Sequence, residues 1–178
     1  MAQRLDKEQK VPIQPNTTRE MFFHTPIFFK DIEGSKKLNK HLLKHVLEWK
    51  KRDEKGIKRS NSLGWHSAVD MHHRKEYHGL LNHFFDMQDD IYKAEGYHPD
   101  TEPYCDNMWA NVNYKYSHNK NHVHPGAQWS GVYYIKVPKN SGHIWFTDPA
   151  GQKHVDMPVM DHTKTKPPHY WREVHYQP

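Results

Sequence analysis

Cysteine is almost missing from this chain. Cys105 is the single one in 178 residues, so no internal disulfide can form, and a reducing, cytoplasmic setting is expected. No run of about 20 apolar residues occurs, which excludes a membrane-spanning helix. The opening Met1-Ala2-Gln3-Arg4-Leu5-Asp6-Lys7-Glu8 has no apolar segment behind its charges and does not read as a secretory signal. The main core-forming apolar residues are scarce too. Leu, Ile, Val and Phe supply 32 of the 178 residues, below the level of about one fifth at which disorder becomes a serious expectation. Two counts oppose that reading. The chain carries 6 Trp and 10 Tyr, each with a large area to bury, and its net charge of +5 is too small to expand it by self-repulsion. The balance points to one folded domain with an aromatic-rich core and polar loops.

What the chain has in excess is histidine, 17 residues of it. The pI near 9.1 implies a mild affinity for nucleic acid at most, because the 26 basic residues are offset by 21 acidic ones. Residues 1–20 are polar, carry Pro12 and Pro15, and read as an arm. The apolar run 21–29, broken by Pro26, reads as an edge strand. From Ser35, Leu38, Leu42, Val46 and Trp49 recur at helical spacing and predict a helix ending near Gly56. Its basic end, Lys50, Lys51, Arg52 and Lys55, complements a helix dipole without any ligand. A second helix is predicted over 74–95, with Tyr77, Leu81, Phe84, Gln88 and Ile91 on one face and Gly96 as its C-cap. Four-apart His41 and His45, and His72, His73, His78 and His83, are expected on solvated surface. After Tyr97 the pattern becomes short, β-branched and aromatic over 104–116, 129–137, 143–147, 154–159 and 172–176. That order of elements predicts a sandwich or barrel with helices on one face.

The chemistry concentrates in one stretch. Trp109-Ala110-Asn111-Val112-Asn113 is followed by His122-Val123-His124-Pro125-Gly126, then by Ser130-Gly131-Val132-Tyr133-Tyr134-Ile135, then by Ser141-Gly142-His143-Ile144-Trp145-Phe146-Thr147-Asp148-Pro149. On extended backbone His122 and His124 point to the same face, near enough to hold one metal ion together. In a chain this rich in histidine a bare His-x-His arises by chance, so its flanks carry the weight. Alternation puts Ser130, Val132 and Tyr134 on one face, Ile144 and Phe146 on one face of the next strand, and Asn111 and Asn113 on one face of the preceding strand. Trp109 and Trp145 are expected in the core, and Cys105 as a small buried residue.

These four ordered segments resemble the Fe(II)- and 2-oxoglutarate-dependent oxygenases. Within them they resemble a bacterial and phage subfamily with a Trp-x-Asn strand, a His-x-His-Pro turn, a Ser-Gly-Val-Tyr-Tyr strand and a Gly-x-Ile-x-Phe-x-Asp-Pro strand. The resemblance is close over about residues 105–150 and general over the helical part. It implies a mainly β, double-stranded β-helix (jelly-roll, cupin-like) domain over 21–178, with helical support at 35–96 and barrel strands within 104–178. It also implies Fe(II), 2-oxoglutarate as a cosubstrate decarboxylated to succinate, and hydroxylase-type oxidation of a substrate that the sequence does not specify. His122 takes the first histidine position of a facial triad, and His124 stands where the superfamily has a carboxylate. Tyr134 matches the position whose hydroxyl reaches the far carboxylate of the cosubstrate, with Ser130 beside it. Val132, Ile144 and Phe146 would line the pocket, and Asn111 and Asn113 would hydrogen-bond cosubstrate or substrate.

The resemblance has a gap. The family's next stretch, Pro-x-x-Gly and then Phe-Pro-x-x-Leu-x-His, supplies the distal histidine and an arginine, and this sequence stops at Val174-His175-Tyr176-Gln177-Pro178, where it is expected. The expectation is therefore a fragment lacking its last strands, a homo-oligomer or complementing second chain, or a domain that lost the activity. Local substitutes are His162, His169 or His175 as third ligand, Asp148 or Asp161 as a carboxylate ligand, and Arg172 or Lys136 as the cosubstrate's cation. Two rival readings stand beside the oxygenase: a cupin-like three-histidine metalloprotein without 2-oxoglutarate, and a catalytically silent or split-chain binding module of the same fold.

Overall fold

Helix α1 spans Lys36–Arg52 and buries Leu42, Val46 and Trp49, the stripe that the four-four-three spacing marks out. Ser35 stands at its start with helical backbone and no side-chain capping bond. The helix stops four residues short of Gly56, because Asp53 is engaged elsewhere. Its carbonyl accepts the Trp65 indole N–H at 2.7 Å, and its carboxylate accepts the Gly56 N–H at 3.2 Å. Gly56 then takes a left-handed φ of 54° directly beneath His66 and Trp65, where a Cβ would lie 2.4 Å from the His66 carbonyl oxygen. Glycine is required there by both torsion and space. Two short 3-10 turns, Met71–His73 and Lys75–Tyr77, lead into α2, His78–Glu95, so the predicted second helix begins as 3-10 and becomes α only at His78. Gly96 closes α2 in the left-handed conformation with φ 73°, as a C-cap glycine does.

The computed structural model describes residues 25–149 and 173–176. The predicted arm 1–20, the strand at 154–159, and Asp161, His162, His169 and Arg172 lie outside the described residues. Residues 25–29 carry no ladder, against the predicted edge strand; Phe28 instead meets Trp129 edge-on at 5.7 Å.

The β structure of the described residues is three antiparallel pairs. Strand β1 (Asn61–Ser62) pairs with β4 (His118–Asn119), β2 (Trp65–His66) with β3 (Asn111–Val112), and β5 (Ile144–Thr147) with β6 (Glu173–Tyr176). The expected barrel strand at 129–137 has no ladder partner among the described residues, and 104–116 contributes only β3 and a bridge from Met108 to Asp70. What survives at 132–137 is alternation: Tyr133, Ile135 and Val137 are half-buried, while Val132, Tyr134 and Lys136 are exposed. Tyr133 and Ile135 pack on the core, and the Tyr133 hydroxyl donates to Asn39 Oδ1 of α1 at 2.6 Å.

The core gathers Leu42, Val46, Trp49, Trp65, Met71, Tyr77, Leu80, Met108 and Ala110, so α1, α2 and the β2–β3 pair close on one another. Trp49 meets Trp65 edge-on at 6.1 Å, and the Arg74 guanidinium lies 3.5 Å over the Trp49 ring, a cation–π contact that also shields the helix face. Cys105 is half-buried against this core, and burial pushes its thiol upward. Trp145, expected in the core, is 60 % exposed. Among the described residues no helix is long and apolar enough to cross a membrane.

Candidate metal centre

The floor of the site is the β2–β3 pair. Ser67 follows β2 and is fully buried. Its backbone N–H donates to the Ala110 carbonyl at 3.0 Å, and its hydroxyl accepts the Ala110 N–H at 3.0 Å while donating to the Ala68 carbonyl at 2.7 Å. Two further bonds, Met71 N–H to the Met108 carbonyl and Met108 N–H to the Val69 carbonyl, both 3.0 Å, continue the zipper. Trp109 is thus held between two pinned neighbours. Its ring stacks on His66 at 5.4 Å and 11°, and His124 meets it edge-on at 5.4 Å and 68°. His66 is 3 % exposed, and its Nδ1 lies 2.6 Å from the Ser67 carbonyl. Burial lowers its pKa, the Ser67 carbonyl pulls the other way, and Arg59 adds to the lowering.

On that floor His122 and His124 come together, ring centroids 4.9 Å apart. His122 Nδ1 lies 2.6 Å from the Lys120 carbonyl oxygen. A carbonyl only accepts, so a neutral His122 carries its proton on Nδ1 and presents a lone pair on Nε2. His124 Nδ1 lies 2.9 Å from Ser130 Oγ; with the hydroxyl accepting, His124 takes the same tautomer. An imidazole whose Nδ1–H is fixed by a carbonyl or hydroxyl is the usual preparation for a metal on Nε2. Desolvation, and then the neighbouring His122, lower the pKa of His124, which favours the neutral form that a metal needs.

The other predicted site residues fall as follows. Ser130, expected beside the cosubstrate, is hydrogen-bonded to His124. Tyr134 is 38 % exposed, burial alone raises the pKa of its phenol, and among the described residues its hydroxyl has no hydrogen-bond partner. Val132 is 55 % exposed on the same alternating face, which continues to Lys136. Ile144 and Phe146 are half-buried on one face of β5. Asn111 is exposed and in register with His66, while Asn113 is exposed and donates to Asn119 Oδ1 of β4 at 3.4 Å. Asn121, next to His122, donates to Thr147 Oγ1 at 3.1 Å and so ties the histidine loop to β5. Through β5 the loop is tied to β6, where His175 stands opposite Trp145 and Glu173 opposite Thr147. Sequence reasoning missed His66 and Ser67, which no motif flags because the pairing that brings them under Trp109 is only two residues long.

Comparison with known proteins bears on the C-terminal part of the chain, which holds this site. Residues 107–178 match the family model described as "Putative 2OG-Fe(II) oxygenase". No curated protein and no solved structure gives a significant match. The matched segment holds the histidine pair, Tyr134 and the β5–β6 pair, and it supports the 2-oxoglutarate- and Fe(II)-dependent oxygenase superfamily and a generic oxygenase domain in this part of the chain. The family implies a double-stranded β-helix; the described residues show three separate two-stranded antiparallel pairs. It also implies Fe(II) and 2-oxoglutarate. The two imidazoles, each with Nδ1 against an oxygen and Nε2 left for a ligand, fit two of the metal positions, and the Tyr134 hydroxyl, unpartnered among the described residues, fits a carboxylate. Among the described residues no group of three His, Cys, Asp or Glu side chains converges for a metal.

Proposed function

We propose that this chain is a 2-oxoglutarate-dependent dioxygenase that oxidises a substrate while 2-oxoglutarate is decarboxylated to succinate, in the reducing cytoplasm. The observation that carries the reading is the His122–His124 pair, with both Nδ1 atoms held by oxygen and the His124 ring backed edge-on by Trp109. Bound Fe(II) supplies oxygen activation and the orientation of the keto acid. The chain's own residues do the rest. His122 and His124 hold the metal through Nε2. Tyr134 donates to the far carboxylate of 2-oxoglutarate, and Lys136, two residues on along the same exposed face, neutralises its charge. Val132, Ile144 and Phe146 keep water from the pocket, and Asn111 and Asn113 offer amides to the substrate side. The third ligand comes from outside residues 25–149: His162, His169 and His175 are the in-chain candidates, and a complementing second chain is the other source.

A second reading has one observation in its favour. A histidine at position 124, where the superfamily has a carboxylate, leaves a three-histidine site one negative charge short, as in cupin-like metalloproteins. Succinate release separates the two. The oxygenase reading expects Fe(II)-dependent conversion of 2-oxoglutarate to succinate, abolished in His122→Ala and His124→Ala. Iron bound by the same two histidines with no succinate formed would favour the cupin-like reading.

A further inference from the structure

The distribution of charge says more than its total. The C-terminal turn of α1 and the loop after it supply Lys50, Lys51, Arg52, Lys55, Lys58 and Arg59. The β1–β4 pairing brings Lys115 and Lys120 to the same surface, with Asn61 opposite Asn119 and Ser62 opposite His118. The joint is tight: the Lys120 N–H donates to the Ser60 carbonyl at 2.9 Å, Asn119 to Ser60 Oγ at 3.2 Å, and the Ser117 hydroxyl to the Leu63 carbonyl at 2.8 Å. Residues 50–66 and 111–121 together hold eight Lys and Arg against two carboxylates, Asp53 and Glu54. That is an excess of six, in a chain whose total is +5, so the rest of the molecule is close to neutral. Among the described residues none of the eight cations is in an ion pair with a carboxylate. All are exposed except Lys50, which is half-buried.

Aromatic rings stand among these cations. Tyr114 is 59 % exposed and Tyr116 is 76 % exposed. Lys50 lies 5.8 Å over the first ring and Lys115 lies 5.0 Å over the second. Tyr116 and Leu63, on facing turns, hold left-handed backbone at φ 70° and 58°, a conformation that costs a non-glycine residue about 1 kcal/mol or more. Unpaired cations that track a backbone, with rings on which bases stack, are the two components of single-strand nucleic-acid binding. A membrane surface would need a broad apolar face beside the cations, and the exposed aliphatic side chains near them among the described residues are two isolated leucines, Leu47 and Leu63.

We propose that the surface formed by the end of α1, the 55–59 loop and the 114–120 turn is a docking site for single-stranded nucleic acid. Phosphates lie against Lys51, Arg52, Lys115 and Lys120, and bases stack on Tyr114 and Tyr116. This goes beyond the oxygenase reading and does not depend on it. The patch ends at Lys120, two residues before His122, so a bound strand runs toward the histidine pair; only that last consequence rests on the oxygenase reading.

The test is fluorescence anisotropy of a labelled 20-nucleotide single strand, without iron or 2-oxoglutarate, over a range of salt. Binding is expected to weaken with salt, with a log–log slope of about −3 if four phosphates are neutralised. Two charge reversals, Lys51→Glu with Arg52→Glu and Lys115→Glu with Lys120→Glu, should each weaken binding at least tenfold. The same charge change at the other end of α1, Lys36→Glu with Lys37→Glu, lies about 20 Å away and beyond a Debye length. It should weaken binding less than threefold. Tyr116→Ala should lower affinity about tenfold with the salt slope unchanged. Circular dichroism of every variant confirms the fold. No binding at low salt, equal losses from all three reversals, or capture by phosphatidylserine vesicles in preference to the oligonucleotide would each overturn the proposal. Because the assay contains no iron, its failure leaves the metal-site reading standing, and the failure of that reading leaves this one standing.

Discussion

Ser67→Ala removes one oxygen from the centre of the zipper that holds Trp109, and the cost can be worked from its surroundings. The hydroxyl accepts the Ala110 N–H at 3.0 Å and donates to the Ala68 carbonyl at 2.7 Å, and Ser67 is fully buried. Alanine leaves the Ala110 N–H without an acceptor in a place that water does not reach. An orphaned buried donor costs about 1–3 kcal/mol, and the second lost bond adds about 0.5–1.5 kcal/mol. The sum is about 1.5–4.5 kcal/mol, which for a chain of this size lowers Tm by roughly 3–18 °C. Ser117→Ala is the matched control. The Ser117 hydroxyl makes the same pair of bonds, accepting the Tyr114 N–H at 3.0 Å and donating to the Leu63 carbonyl at 2.8 Å, at the exposed turn. Water replaces it there, so the loss should stay below about 1 kcal/mol. Urea unfolding reads both, with m expected to be unchanged. Equal losses in the two variants, or a loss below about 0.5 kcal/mol in Ser67→Ala, would refute the claim that desolvation at Ala110 makes this bond matter.

Ser130→Ala frees His124 Nδ1 and should weaken Fe(II) or Co(II) binding about 10- to 100-fold, as loss of a ligand's supporting hydrogen bond does; calorimetry reads it, and an unchanged affinity would remove Ser130 from the site. Burial holds the pKa of His66 below its unfolded value, so the folded state binds fewer protons between the two values and stability rises with pH there. The stabilisation is full above about pH 6.5, the unfolded value, and is lost as pH falls toward the folded value. His66→Gln should flatten that slope in urea unfolding at pH 5.5–7.5; an unchanged slope would assign it to another group.

The two helices were legible because their burial is periodic: Leu42, Val46 and Trp49 mark α1 through spacing alone. Strand β5 was legible for the same reason, since Ile144 and Phe146 alternate with exposed Trp145 and Thr147. Strands β1, β2 and β4 were not, because two residues cannot display a period and their pairing is fixed by side-chain bonds from Ser67, Asn119 and Ser60. The 129–137 stretch shows its faces in the sequence but not its pairing, because alternation says which side a residue occupies and not which strand lies beside it. In the site, the histidine pair was readable from its flanks. The His66–Trp109–His124 stack was not, since the β2–β3 register that creates it joins residues more than 40 positions apart. Charge showed the same limit: a total of +5 suggested little, while the fold gathers nearly all of the excess on one surface.

The most direct test of the central claim is an anaerobic titration of Fe(II) into the protein with 2-oxoglutarate present, following the metal-to-ligand charge-transfer band, with His122→Ala and His124→Ala run in parallel. The account predicts a saturable band in the wild type that neither variant forms. A band that survives both substitutions would contradict it; no band at any iron concentration would contradict a site completed within this chain.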